Sequence, residues 1–230
     1  MKIGILQTGY ASDAMKATEG DYPDMFARLL DGHGFTFETW EVVDGTFPAS
    51  VYDADGWLIT GSRHGAYEPH DWIPPLEDLI RQIYAAKIPL VGVCFGHQII
   101  AQALGGKVEK FHDGWAVGRQ TYTGPDGAET TLLAWHQDQV VSLGPDAKLI
   151  AGDDFCKHAV LSYGDTVFTT QPHPEFGPQA IKHLINSHGE KVLPDRLAAA
   201  DETRMLPVDD AKTAERFAAF FKRNFEEQAA

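Results

Sequence analysis

The 230 residues carry 19 Lys and Arg against 33 Asp and Glu, a formal net charge of -14, and 43% of them are hydrophobic. That balance fits one α/β domain with a sizeable core and argues against a nucleic-acid backbone or an anionic membrane surface as partner, because both require clustered cations. Two cysteines make no disulfide framework and ten histidines show no paired spacing such as H-E-x-x-H, so neither metal nor cofactor is expected.

Residues 1–10, MKIGILQTGY, lack the apolar stretch of a secretory signal, and no apolar run approaches the length of a membrane span, which makes the cytoplasm the expected location. Residues 2–6 read as a buried strand. A long polar loop over residues 7–20 follows, at the end of a sheet where ligand crevices form. Asp21, Pro23 and the apolar set Phe26, Leu29 and Leu30 mark a helix that stops near Gly32 and Gly34. Residues 35–43 and 56–60 read as the second and third strands, and the third leaves through the turn-forming TGSRHGAYEP. Pro74 and Pro75 open a helix whose Leu76, Leu79, Ile80 and Ile83 recur at helical spacing.

Residues 89–93 form a short continuous apolar run, the pattern of a strand buried on both faces of a parallel sheet. Cys94 follows within G-x-C-x-G, and Ile99, Ile100, Ala103 and Leu104 then share one helical face that ends at Gly105 and Gly106. Such a strand-to-helix elbow lifts one side chain above the carboxyl end of the sheet. The positive end of the helix favours an anion there, and the N–H of Phe95 is placed to donate to an oxyanion on a carbonyl under attack.

Past residue 107 the helical period gives way to short β-like runs at residues 117–122, 130–134, 159–162 and 166–170. They are expected to extend the sheet in antiparallel fashion, and residues 176–187 to form a helix. Residues 190–210, interrupted by Pro194 and Pro207, are expected to be irregular or mobile. A final helix carries Ala214, Phe217, Ala218, Phe221 and Phe225 on one stripe. The domain organisation expected is a main unit over residues 1–189 with a C-terminal extension over 190–230.

TTQPHPEF places His173 and Glu175 two residues apart, with Pro172 and Pro174 keeping the segment out of a helix. A neutral imidazole can take the thiol proton of a distant cysteine, and a carboxylate can set the tautomer of that imidazole. Cys156 has no such neighbour in sequence and reads as structural.

With GVCFGHQ, the HQDQ after Trp135, and QPHPEF in this order, the chain resembles the class I glutamine amidotransferase family. The resemblance implies an α/β fold of flavodoxin-like type, an open, mostly parallel mixed sheet flanked by helices on both faces. It implies a Cys94–His173–Glu175 triad that attacks the side-chain amide of glutamine and releases ammonia and glutamate through a thioester. It implies oxyanion donors at Phe95 and at Gly61 and Ser62, where the chain has Ser62 and Arg63 in place of the later residues of the family's Gly-Gly-Pro. It further implies a glutamine pocket built with Gln98 and the backbone near Trp135 and His136, with Asp138 close by.

The chain contains no acceptor domain and no G-x-x-x-x-G-K-[ST] phosphate loop. A separate synthase subunit of the GMP synthase kind would therefore receive the ammonia, or the protein is a free-standing hydrolase. GDYPDMFARLLDGHG, WLITGSRHG and WIPPLEDLI are similar to the stand-alone γ-glutamyl peptidase branch, whose substrates share the γ-carbonyl and differ in the leaving group. On that reading residues 7–20 and 63–71 choose the leaving group. A third reading is a subunit whose triad stays silent until a partner docks.

Overall fold

The computed structural model describes residues 1–229, with side chains described through Phe225. In chain order the first half runs β1 (Lys2–Leu6), α1 (Asp13–Glu19), α2 (Tyr22–Leu29), β2 (Thr36–Trp40), β3 (Gly56–Ile59), α3 (Ile73–Ala85), β4 (Leu90–Val93) and α4 (Phe95–Ala103). The second half runs β5 (Lys107–Lys110), β6 (Ala116–Thr123), β7 (Glu129–His136), β8 (Asp138–Ser142), β9 (Ala147–Ala151), β10 (Val160–Tyr163), β11 (Val167–Thr170), α5 (Pro178–His188), α6 (Pro194–Thr203) and α7 (Asp210–Ala229).

Seven strands make the central sheet, in the order β2-β1-β3-β4-β11-β10-β9. Neighbours from β2 through β11 are parallel, whereas β10 runs antiparallel to both β11 and β9. The sheet is therefore mixed and mostly parallel, as expected. Side chains alternate across it as the pleat requires. Trp57, Ile59 and Leu90 join Leu76, Ile80, Ile83, Ile99 and Ile100 of α3 and α4 on one face. Leu58, Val91 and Val93 join Phe26 of α2 and Phe217 and Phe221 of α7 on the other.

Four expectations are corrected. Residues 7–20 are not all loop: Ser12 caps α1 by accepting from the N–H of Met15, and Met15 alone is buried, so a helix this short left almost no apolar period to read. Of the later strands, only β9, β10 and β11 extend the sheet; β5 with β8 and β6 with β7 form separate two-stranded ribbons, and β5, β8 and β9 were not expected at all. Residues 190–210 contain α6, because Pro194 occupies the first turn, where its missing N–H leaves no bond unmade. Ala200 of α6 packs on β6 at Gly118, whose φ of 72° and lack of a Cβ admit it. Finally, Phe225 does not complete the buried stripe of α7, being 38% exposed.

Candidate active site

The site lies at the carboxyl ends of β4 and β11, neighbouring parallel strands in which Val93 pairs with Thr170. Cys94 comes one residue past the first strand and His173 three past the second. Topology thus brings together two residues that are distant in sequence, since paired strands lie only about 4.8 Å apart. Cys94 has φ 53° and ψ -103°, one of two described non-glycine residues with positive φ. That strain is held in place because its N–H donates to Thr170 O at 2.9 Å and its C=O accepts from the N–H of Gln98 at 3.0 Å.

The glycines of the elbow are demanded by close approach. A Cβ on Gly92 would stand 2.6 Å from Gly96 O, and one on Gly96 would collide with Ile59 O. The N–H of Gly96 instead donates to Thr60 O at 3.1 Å, which locks α4 to the exit of β3. Phe95 is the first residue of α4, so its N–H has no intrahelical acceptor and lies at the positive end of the helix.

His173 is fixed on three sides. Its backbone N–H donates to Leu133 O of β7 at 2.8 Å. Its ring stacks on Phe176 at 3.9 Å between centroids and 2° between planes, and Tyr22 stacks on Phe176 in turn at 6.4 Å. Its Nδ1 lies 2.6 Å from Glu175 Oε1, so the proton sits on Nδ1 and Nε2 faces away toward other partners. Burial alone would lower the His173 pKa, but the Glu175 carboxylate and the adjacent Cys94, which also hydrogen-bonds the ring, raise it to about 10. Two other buried imidazoles show the contrast. Burial lowers His97 and His136 to about 3, and neither has a carboxylate partner. Glu175 is itself buried, with Oε2 unpartnered.

Gly61 lies directly beside this pair: a Cβ there would stand 3.0 Å from His173 Cε1 and 3.8 Å from the Cys94 Cβ. Ser62 spends its hydroxyl on the loop, accepting from the N–H of His64 at 3.2 Å. Thr8 staples the exits of β1 and β3, its N–H donating to Thr60 Oγ1 at 3.0 Å and its hydroxyl to Thr60 O at 3.0 Å. Gln98 lines the same cleft, but its Nε2 already donates to Asp138 O at 2.9 Å and Gln171 Oε1 at 3.1 Å, which leaves Oε1 for a ligand. Trp135 and His136 at the end of β7 also line the cleft, with His136 Nδ1 3.2 Å from Asp138 O. Asp138 opens β8 and is not a simple turn residue. Every residue expected at the site therefore borders one space.

That space is a cleft of about 1730 Å³ reaching from Cys94 past α1 to the start of α6. Sequence reasoning missed the stacked Tyr22 and Phe176, the Thr8–Thr60 staple, and the walls from α1 and from Pro194, Arg196 and Leu197. None has a local signature, because each acts through a partner far along the chain. Cys156 lies outside the cleft; burial and then Asp153 push its thiol far above the usual range.

Residues 38–190 match the family model "Glutamine amidotransferase class-I". Gamma-glutamyl peptidase 4 of Arabidopsis thaliana is 33% identical over 190 residues, 76% of each chain. The glutamine-hydrolysing component of the GMP synthase of Halobacterium salinarum is 30% identical over 170 residues, 68% of this chain and 84% of that one. In fold the protein is similar to a glutamine amido transferase from Methylobacillus flagellatus, with a TM-score of 0.77, 21% identity and coverage of 98% of this chain and 94% of that one. It is equally similar to a glutamine amidotransferase from Thermotoga maritima, with a TM-score of 0.77, 18% identity and 98% of both chains covered.

Proposed function

The chain belongs to the class I glutamine amidotransferase family, and on that premise we propose that Cys94, His173 and Glu175 cleave a γ-glutamyl amide bond through a thioester, with a γ-glutamyl peptide or conjugate as the preferred substrate. The observation that carries the chemistry is the His173 imidazole held at 2.6 Å by Glu175 and raised in pKa by that carboxylate and by Cys94.

In this reaction the Cys94 sulfur adds to the γ-carbonyl carbon, and the oxygen takes up the negative charge. The N–H of Phe95 and the backbone of Gly61 and Ser62 receive that charge, each donor being worth roughly a hundredfold or more in rate. Protonated His173 gives its Nε2 proton to the leaving nitrogen as the C–N bond breaks and the thioester forms. Neutral His173 then takes a proton from water, which attacks the thioester and frees the γ-carboxylate and the thiol. Glu175 keeps Nδ1–H oriented in both halves. Gln98 Oε1, Trp135 and His136 border the glutamyl end. A mechanism that rests on a free thiol suits a reducing compartment such as the cytoplasm, and among the described residues no helix is long and apolar enough to cross a membrane.

The size of the cleft favours the peptidase reading over a plain glutaminase. Its walls reach Lys16 of α1 and Arg196 of α6, leaving room beyond the amide nitrogen for a leaving group larger than ammonia. A second reading, a glutaminase that feeds ammonia to a separate synthase, is supported by the likeness to the glutamine-hydrolysing component of GMP synthase. Glutamate release by the purified chain separates them. Faster release from γ-glutamyl dipeptides than from glutamine is expected. Release from glutamine alone, or from neither until a synthase is added, would replace the peptidase reading.

A further inference from the structure

The exit of β3 carries a second constellation, outside the triad. His64, Glu68 and His70 converge there although no paired ligand spacing was read in the sequence: His64 and Glu68 are four apart, and His70 follows two later. We propose that these three side chains form a binding site for a divalent transition metal of the zinc type on the rim of the cleft.

The donor set and its geometry carry the assignment. Two imidazoles and one carboxylate are the ligand types of three-coordinate protein sites that keep a further position open, and imidazole nitrogen selects zinc-like metals over magnesium or calcium. One ligand atom from each residue lies within 4.8 Å of the others, the sole such group among the described residues. Glu68 Oε2 is 2.8 Å from His70 Nε2 and 3.5 Å from His64 Nδ1. Tetrahedral zinc with bonds of about 2.0–2.2 Å needs its ligand atoms roughly 3.3 Å apart. The two measured separations bracket that value, so small side-chain rotations admit the ion.

The loop is already folded around this arrangement. Glu68 N–H donates to Gly65 O at 3.0 Å, His70 N–H to Glu68 O at 2.9 Å, and Ile73 N–H to His70 O at 3.1 Å. Trp72, buried at the start of α3, stacks on His70 at 5.9 Å and 13° and meets His64 edge-on at 5.9 Å. Little chain entropy therefore remains to be lost on binding, and the indole shields one side of the site. His64 and Glu68 both line the cleft. The open coordination position of the metal accordingly faces the space where a leaving group would lie, and water or a donor atom of a bound molecule completes the shell.

The site uses neither Cys94 nor His173, so its failure leaves the hydrolytic reading standing. The test uses the full chain carrying Cys94→Ala, which removes the competing thiol, stripped of metal by a chelator and titrated calorimetrically with Zn²⁺. One equivalent per chain is expected, with affinity at least tenfold weaker in Glu68→Gln and in His70→Ala. Loaded with Co²⁺, the same protein is expected to show the visible absorption of nitrogen and oxygen ligation. Matching thermal midpoints of the metal-free variants establish that both are folded. If His70→Ala is not, Glu68→Gln decides, since its amide keeps the size of the carboxylate and removes the anionic donor. The absence of saturable Zn²⁺ binding at micromolar metal, or equal affinity in Glu68→Gln, would overturn the proposal.

Discussion

Cys94 and Cys156 are both free, both nearly sealed from solvent at 6% and 2% exposure, and both belong to the apolar layer on one face of the sheet. Their surroundings differ in what lies within reach of the sulfur. Cys94 stands at the N-terminus of α4 with the imidazole of His173 beside it. Cys156 stands in a turn whose nearest charged group is Asp153, which accepts from the N–H of Cys156 at 2.5 Å. Burial disfavours charge in both places, but only Cys94 has a cation beside it to offset that cost. Burial alone therefore does not mark an inert cysteine; the sign of the neighbouring charge does.

The sharpest way to break this comparison is to remove each sulfur in turn. Cys94→Ala is expected to lower γ-glutamyl hydrolysis by on the order of 10⁶-fold, the scale of losing a nucleophile, while Cys156→Ala keeps the turnover of the natural chain. Glutamate release assays on equally folded proteins check both, and persistent activity in Cys94→Ala would end the triad assignment. Glu175→Gln should cost less, on the order of 10⁴-fold, because it orients the base and does not attack.

The pH dependence of stability sharpens the same contrast. His173 titrates at about 10 in the folded chain, against an ordinary 6.5. A raised folded value means that its stabilising contribution is fully present below about 6.5 and is lost as pH rises through about 10. Denaturant unfolding across that window should show the decline in the natural chain. In Glu175→Gln the raising carboxylate is gone, burial then lowers the His173 pKa, and the decline should vanish. The smallest effect expected is a stability loss of about 1 kcal/mol for Cys156→Ala, a small cavity in a packed layer, read as a shift in the unfolding midpoint.

Much of this was legible in residue order. The apolar run of β4, the glycines about Cys94 and the prolines about His173 are local features, and each produced the local conformation its residue types prefer. The missed parts had no such local record. α1 buries only Met15, β5 exposes three of its four residues, and Pro194 reads as an interruption although it opens α6. His64, Glu68 and His70 could have been noticed from their spacing, but only the folded loop closes their ligand atoms to within 4.8 Å.

What the sequence by itself determined is the alternation of strand and helix, the elbow at Cys94 and the pairing of His173 with Glu175, because these depend on residues within about one turn or one pleat of one another. The tertiary structure alone decided which of three buried imidazoles becomes a cation, how far the cleft extends beyond the reacting atoms, and that β11 lies beside β4. Those outcomes depend on strand order and on charges and walls supplied from distant segments, and such sums over neighbours in space have no counterpart in neighbours along the chain.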